Sequence, residues 1–251
     1  MNLTLYGVDI WSTAMVFARV GAMIMLLPGF GEPAIPARVR LAFALALAMA
    51  IAPGLAGHIP QPASTALGMG GQIGLETLIG LIFGGAARML MSALATAGQI
   101  AGTEIGIAFA QITDPTINQS GAIISVFLSV MGVALIFATG LDHMFLQGVA
   151  GSYDLLAPGA RAPVGDAAQL ALDTASTSFR VGFQIAMPVL AAGMIFRVGL
   201  AVLARLIPQI QVFFVVLPLQ VMGGFAVFAL GLSAGMLMWL DSLQSYSTWL
   251  R

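Results

Sequence analysis

Residues 206–240 read LIPQIQVFFVVLPLQVMGGFAVFALGLSAGMLMWL and contain no charged side chain. A helix needs about 20 mostly apolar residues to cross a hydrocarbon core of roughly 30 Å, and this run exceeds that length. The whole chain has the same character, since 59% of its 251 residues are hydrophobic and 8% are charged. Soluble domains carry roughly 25% charged residues, so the sequence predicts an all-α integral membrane protein.

Apolar runs of comparable length recur from end to end and predict a polytopic protein of about six helical segments. The first run carries Arg19, and the second lies between Pro36 and Pro53, two residues that a helix interior does not readily accept. The expected segments are residues 11–30, 40–55, 71–109, 121–148, 179–203 and 209–240.

The third segment is too long for one straight crossing of a bilayer. Its roughly 39 residues would form a helix of about 58 Å, almost twice the hydrocarbon thickness. We therefore expect this segment to bend, fold back or leave the bilayer. Gly84 and Gly85, close to Arg88, are the expected place for a break.

The domain organisation follows from the one clearly hydrophilic stretch, residues 152–178, which separates two apolar halves. We expect a single integral membrane domain over residues 1–251. Its predicted parts are an N-terminal helical half (1–151), a hydrophilic loop (152–178) and a C-terminal helical hairpin (179–251).

The charge balance and the lack of cysteine exclude several classes of function. A net charge of −1 provides no basic field for nucleic acid, and no nucleic-acid-binding motif is present. Without cysteine the chain has no disulfides, thiolate metal sites or cysteine nucleophiles. We expect no metal, no cofactor and no nucleic-acid partner.

One enzymatic motif occurs, because residues 231–235 read GLSAG and fit the G-x-S-x-G nucleophile elbow. That elbow requires a strand, a turn and a helix, together with a histidine and an acid partner. Here the motif lies in the charge-free run, and the chain has only His58 and His143. We therefore expect that the protein is not an enzyme.

Glycines spaced four residues apart predict close helix packing, because helix association in lipid depends on small residues that let backbones approach. Gly98, Gly102 and Gly106 would form a smooth groove along one helix face. The spacing leaves open whether the groove packs within the chain or against another subunit.

Among the ionisable residues in or beside apolar segments, the candidates for a functional role are Glu76, Arg88, Glu104 and Asp114. Such groups are costly in a membrane and mark functional sites by default, as in the relay of an ion-coupled transporter. The alternative is that they pair structurally with neighbouring helices. In one straight helix Glu76 and Arg88 would lie about 18 Å apart along the axis, so they could not pair with each other.

A polar, turn-prone stretch interrupts the apolar segments at residues 102–121, GTEIGIAFAQITDPTINQSG. In lipid its backbone would leave donors and acceptors unsatisfied, so it must line an aqueous path or be buried in protein. This favours a movable constriction, with a simple surface loop as the alternative.

At this point the sequence resembles the FliR family of flagellar biosynthesis proteins, a component of the type III export gate. Residues 98–115 are similar to the family's G-Q-x-x-G, G-x-x-F-A and D-P signature. Residues 205–220, RLIPQIQVFFVVLPLQ, are similar to its R-x-x-P-Q stretch, with Gln220 where many members carry lysine. Residues 19–40 match its usual opening.

The resemblance implies a subunit of a helical export gate in the bacterial inner membrane, at the flagellar basal body. It implies FliP and FliQ as partner subunits, FlhB at the cytoplasmic opening, the lipid bilayer around the assembly and unfolded flagellar subunits as cargo. The chain's helical hairpins would then pack into this multi-subunit gate.

The resemblance also assigns residues to roles. A central plug loop in the pore maps onto residues 109–122, with the individual positions Phe109, Ala110, Gln111, Ile112, Thr113, Asp114, Pro115, Asn118, Gln119, Ser120 and Gly121. The expected subunit-interface residues are Arg205, Pro208, Gln209, Gln211, Phe213 and Pro218.

Two other classes of function remain open from the residues alone. A small-solute or ion-coupled secondary transporter would use Glu104 and would work as an isolated chain. A purely structural core of the basal body would tolerate any change in the polar stretch that preserves assembly.

Overall fold

The computed structural model describes residues 4–5, 8–106, 120–160, 164–206 and 212–249. This part of the chain is helical, as the sequence predicts, apart from a two-residue antiparallel pairing of β1 with β2. The elements are β1 (Thr4–Leu5), β2 (Val8–Asp9), α1 (Ile10–Leu26), α2 (Ala37–Leu55), α3 (Ala66–Ile105), α4 (Ser120–Ala138), α5 (Leu141–Leu155), α6 (Val164–Leu206) and α7 (Val212–Trp249).

Helix α1 begins where the sequence supplies a capping side chain. Asp9 precedes the helix in an extended conformation, and its carboxylate accepts hydrogen bonds from the backbone N–H and the hydroxyl of Ser12. This satisfies one of the free N–H groups that every helix start exposes. At 17 residues, α1 is apolar but shorter than the four helices that can each cross a membrane by length and composition.

Four of the described helices are long and apolar enough to cross a membrane: α2, α3, α6 and residues 216–246 of α7. A fifth crossing is formed if α4 and α5 are taken as one broken span. The expectation of about six spanning segments is therefore not confirmed, although the described residues contain seven helices.

The predicted fourth segment, residues 121–148, is two helices rather than one. Helices α4 and α5 meet at an angle of 77°. Gly140, which precedes α5, has a φ of 74°, a left-handed conformation that costs glycine little and other residues more. The glycine thus permits a sharp turn that hydropathy alone does not reveal.

The break expected at Gly84 and Gly85 is wrong, because α3 runs unbroken for 40 residues. At 1.5 Å per residue the helix is about 60 Å long. Gly84 instead lets α1 approach: a Cβ added there would lie 3.0 Å from the Met23 carbonyl oxygen and from the Leu26 Cβ. Glycine is a poor helix former, but tertiary packing overrides such propensities.

The stretch expected as a hydrophilic loop, residues 152–178, is mostly helical. Helix α5 continues to Leu155, and α6 begins at Val164. Asp166 lies in the first turn of α6, where the positive end of the helix dipole favours a carboxylate. The polar residues here belong to a long helix of which only the later part is strongly apolar.

The chain forms two compact units, and each combines residues from both sides of the 152–178 stretch. Unit 1 consists of Met1–Met89, Ile136–Ala175 and Leu243–Arg251. Unit 2 consists of Leu90–Leu135 and Ser176–Ser242. The expectation of a single integral membrane domain stays a prediction.

Within unit 2 the helices pair in antiparallel fashion. In α3 and α4, Gly98 lies against Ser125, while a Cβ added at Gly132 would meet the Leu94 side chain. In α6 and α7, Pro188 lies beside Gly231, and Ile185 lies beside Gly235. Trp239 of α7 donates its indole N–H to the Leu90 carbonyl at 3.0 Å and is almost fully buried.

Candidate functional site

Three of the four ionisable residues singled out in the sequence are described by the structure, and each forms an ion pair with another element. Glu76 pairs with an arginine of α1, Arg88 with a glutamate that follows α1, and Glu104 with an arginine of α6. Asp114 lies outside the described residues. These ion pairs agree with structural pairing between neighbouring helices, and they do not form the relay of free acids that an ion-coupled transporter would use.

The most buried pair joins Arg19 to Glu76 inside unit 1. Arg19 Nε donates to Glu76 Oε2 at 2.7 Å, and both residues are 0% exposed. Arg19 Nη1 donates to the carbonyls of Ser152 and Leu156 at 3.0 and 2.8 Å. The guanidinium carbon also lies 4.2 Å from the centre of the Tyr153 ring.

Glu76 uses its second oxygen to hold the connection between α5 and α6. Its Oε1 accepts the backbone N–H of Gly159 at 2.7 Å. Arg19 and Glu76 therefore tie α1, α3 and the residues after α5 together. Buried charges of opposite sign tolerate removal from water when they are paired and hydrogen-bonded. Here Arg19 Nε and Nη1 and both Glu76 oxygens have partners, whereas the buried Arg19 Nη2 has none among the described residues.

The pair Arg88–Glu32 lies nearer the surface of unit 1. Arg88 Nη1 donates to Glu32 Oε1 at 2.7 Å, and the side chains are 41% and 20% exposed. Exposed ion pairs contribute little because water screens them. This pair therefore adds less to stability than the buried one.

Glu104 lies in the last turn of α3 and meets both C-terminal helices within unit 2. Its Oε2 lies 2.9 Å from Arg197 Nη2 of α6, in the geometry of an ion pair without a well-aligned hydrogen bond. Its backbone carbonyl accepts from Gln220 Nε2 of α7 at 3.0 Å. The carboxylate is largely buried, whereas the arginine is more than half exposed.

A cleft of about 290 Å³ adjoins Glu104 in unit 2, between α6 and α7. Its walls are mainly apolar and include Val189, Phe196, Leu219 and Val227. Because Arg197 already neutralises the Glu104 carboxylate, the cleft offers little free charge for a polar ligand.

The predicted glycine groove packs within the chain where the structure describes it. Gly98 is so close to α4 that an added Cβ would collide with the backbone of Ser125. Gly102 is buried, and Gly106 ends α3 with a φ of 91°. The third glycine thus serves the helix end, where its left-handed conformation is needed.

Most residues assigned to the plug loop lie outside the described part of the chain, namely 109–119. Ser120 and Gly121 are the first residues of α4, and their side chains are not described. Of the expected interface residues, Arg205 and Pro218 are exposed on α6 and α7. Phe213 is in the first turn of α7, and positions 208, 209 and 211 fall outside the described residues.

The G-x-S-x-G match has no catalytic context. Residues 231–235 lie inside α7 rather than at a strand-to-helix turn. Their glycines serve packing, since Cβ atoms added at Gly231 and Gly235 would lie 3.3 Å from Pro188 and 3.1 Å from Ile185. In the described part of the chain, no three His, Asp or Glu side chains come together as a metal site.

Sequence reasoning identified the acids but not their partners. The sequence shows Arg19 as a charge in the first apolar segment, but nothing in it pairs Arg19 with Glu76 or Arg197 with Glu104. The useful signal is the arginine itself, because a guanidinium within an apolar helix faces a cavity or pairs with another charge or with backbone carbonyls.

Comparison with known proteins gives one family across almost the whole chain. The sequence model of the family described as Bacterial export proteins, family 1, matches residues 10–246. The match begins with α1 and ends close to the end of α7, so it includes residues of both compact units.

Individual relatives carry a single name. The flagellar biosynthetic protein FliR of Caulobacter vibrioides is 40% identical over 241 residues, which cover 96% of each chain. FliR of Escherichia coli is 30% identical over 213 residues, covering 84% of this chain and 80% of the relative. FliR of Bacillus subtilis is 28% identical over 216 residues, covering 84% and 82%.

Proposed function

The chain belongs to family 1 of the bacterial export proteins, the family of the flagellar biosynthetic protein FliR, and on that premise we propose that it is a subunit of the flagellar type III export gate. In this proposal, unfolded flagellar subunits cross the bacterial inner membrane through a channel to which the chain contributes. The observation that carries it is the similarity to a flagellar biosynthetic protein over 96% of both chains.

The apolar surface of α6 and α7 supports a place inside a larger assembly. Only 17% of the most apolar stretch of each helix is buried by the chain itself. Ile195 and Leu230 are 75% and 83% exposed, and Met194 and Met222 are similarly uncovered. Contiguous apolar surface of this kind requires lipid or partner proteins to cover it.

We assign this cover to partner subunits of the FliP and FliQ kind on some faces and to lipid on others. FlhB is proposed at the cytoplasmic opening. The interface would include the end of α6 and the start of α7, where Arg205 and Pro218 are exposed. The chain supplies walls and contacts in this assembly and carries out no covalent chemistry.

Residues 109–122 are proposed as a plug that narrows the channel at rest. The support is chemical: a polar stretch between α3 and α4 must find water or protein partners for its backbone, and a channel supplies both. The antiparallel contacts of Gly98 with Ser125 keep the ends of α3 and α4 on the same side of unit 2.

Deleting residues 111–120 tests the plug. Residue 105 lies about 10 Å beyond Gly98 along α3, and residue 121 about 6 Å before Ser125 along α4. A shortened connection of a few residues can span such a gap, because an extended chain reaches roughly 3.3 Å per residue. The hairpin of α3 and α4 should therefore survive the deletion.

The expected result is a membrane that leaks small ions while FliP-type and FliQ-type subunits still copurify with the chain. Arg180→Gln, at an exposed position of α6, is the control and should not leak. Unchanged permeability in a fully assembled deletion variant would count against the plug. Activity of the purified chain alone as a solute carrier in liposomes would count against the gate.

A further inference from the structure

The end of α3 is held by both C-terminal helices at one point in unit 2. Glu104 forms its ion pair with Arg197 of α6 at 2.9 Å, while Gln220 of α7 donates to the Glu104 carbonyl at 3.0 Å. The next residue, Ile105, is 0% exposed. The side chain of Glu104 thus contacts α6, and its backbone carbonyl contacts α7.

Two glycines make this approach possible. A Cβ added at Gly193 of α6 would lie 2.5 Å from Glu104 Oε2. One added at Gly224 of α7 would lie 3.2 Å from the Cα of Ile105 and 2.9 Å from its Cγ1. A side chain at either position would force Glu104 or Ile105 to shift, so glycine at both positions suits the observed packing of the three helices.

We propose that Glu104 is a positioning residue of the export gate. Its contacts with Arg197 and Gln220, here called the α3 clasp, fix where α3 ends relative to α6 and α7 and so set the permeability of the resting gate. The chain leaves α3 at Gly106, two residues after Glu104. This inference rests on the proposed export function.

The two partners of the ion pair are unequal, and this gives the clasp a recognisable response to mutation. The Arg197 side chain is 58% exposed, whereas that of Glu104 is 12% exposed. Removing the arginine leaves a carboxylate with little water around it, which is the costlier change. Glu104→Gln removes the charge and keeps an amide of similar size, so it is the milder change.

The experiment replaces the chain's own gene by each variant and measures three quantities: recovery of the assembled complex, leakage of small ions, and secretion of flagellar subunits. Glu104→Gln should raise leakage above that of the unaltered chain, because the charge that pairs with Arg197 is lost. Arg197→Met should raise it further, with the complex still recovered.

Combining the two changes distinguishes the clasp from two independent defects. The double variant should leak less than Arg197→Met alone, because no carboxylate is then left without its partner. Arg197→Lys keeps a cation near Glu104. Its leakage of small ions should therefore stay close to that of the unaltered chain. Arg180→Gln, an exposed arginine on the same helix, should behave as the unaltered chain.

The outcomes separate this inference from the proposed function. If the deletion of residues 111–120 leaks but assembled Arg197→Met does not, the clasp is overturned and the export function stands. If neither leaks in an assembled complex, the clasp and the plug are both overturned, whereas the export function is overturned by solute-carrier activity of the purified chain alone. If Arg197→Met fails to assemble, Glu104→Gln and Arg197→Lys decide, because an equal leak in both contradicts a role for the charge pair.

Discussion

Gly98 of α3 lies so close to Ser125 of α4 that no side chain fits between the two backbones. The Ser125 hydroxyl adds a hydrogen bond of 2.9 Å to the Ala95 carbonyl, one turn earlier in α3. Small residues drive helix association in lipid through such close approach. This contact fixes the hairpin that brackets the proposed plug.

Gly98→Ala should weaken the α3–α4 contact and lower the recovery of folded protein, because the new methyl group must displace the Ser125 backbone. Overpacking of this kind typically costs about 1–3 kcal/mol. Thermal unfolding in mild detergent measures the effect.

Gly85→Ala is the matched control, since nothing lies within 4 Å of a Cβ added there. It should leave stability unchanged or raise it by up to about 1 kcal/mol, because alanine is the better helix former. Equal destabilisation by the two changes would contradict a packing role for Gly98.

The Arg19–Glu76 pair should be the most sensitive polar contact in unit 1. Arg19→Met leaves the Glu76 carboxylate buried without its cation, and breaking a buried pair in this way costs about 3–5 kcal/mol. We expect the variant to be proteolysed in cells and to unfold at lower temperature in detergent.

Arg88→Gln serves as the comparison for that variant, because the Arg88–Glu32 pair is partly exposed. Screened pairs of this kind contribute about 0–1 kcal/mol. A loss of stability as large as that of Arg19→Met would show that burial does not decide the difference.

The N-terminus of α1 should respond to pH through Asp9. The hydrogen bond from the Ser12 hydroxyl, the largest contribution, holds the pKa of Asp9 below its ordinary value of 3.8. A carboxylate whose folded pKa is lowered contributes stability above its unfolded pKa, and this contribution disappears as pH falls through the folded pKa.

Asp9→Ala removes the cap and should cost about 1 kcal/mol at neutral pH. The difference in unfolding between this variant and the unaltered chain should shrink as the pH is lowered below 3.8, the ordinary value. A difference that stays constant down to strongly acidic pH would exclude the carboxylate as its source.

The apolar face of α6 should not accept a charge if lipid or a partner covers it. Ile195→Asp places a carboxylate at a position that is 75% exposed in the isolated chain. A charge in the centre of a membrane helix costs about 2.5–3.5 kcal/mol on insertion scales. Recovery of the membrane complex should fall.

Leu172→Asp is the control on the same helix. Leu172 is 71% exposed, but it precedes Asp173 in the polar first part of α6. This variant should assemble normally. Equal recovery of the two variants would mean that neither lipid nor protein covers Ile195.

The sequence predicted the helical class because composition and hydropathy are local properties. It placed α1 to within a few residues at its start and α2 at its end. It did not predict that α3 is continuous at Gly84, since the contact of that glycine with Met23 and Leu26 depends on tertiary structure. Hydropathy also missed the helical start of α6, where polar residues and a helix coexist.

The candidate site was predicted only as a set of costly charges. Their position within apolar segments marks Glu76 and Glu104 as unusual, but it does not identify Arg19 or Arg197, which are far away in sequence, as their partners. The family resemblance supplied the roles of residues 109–122, which no physical pattern in one sequence assigns. Those roles, and the partner subunits, stay proposals.

The burial of Arg19 also has a consequence for biosynthesis. Its carboxylate partner is encoded 57 residues later, and its carbonyl acceptors 133 and 137 residues later. At about 5–20 residues per second, the ribosome makes Glu76 roughly 3–11 s after Arg19. During that interval Arg19 has not yet met its carboxylate partner, and an unpaired arginine is costly within the bilayer.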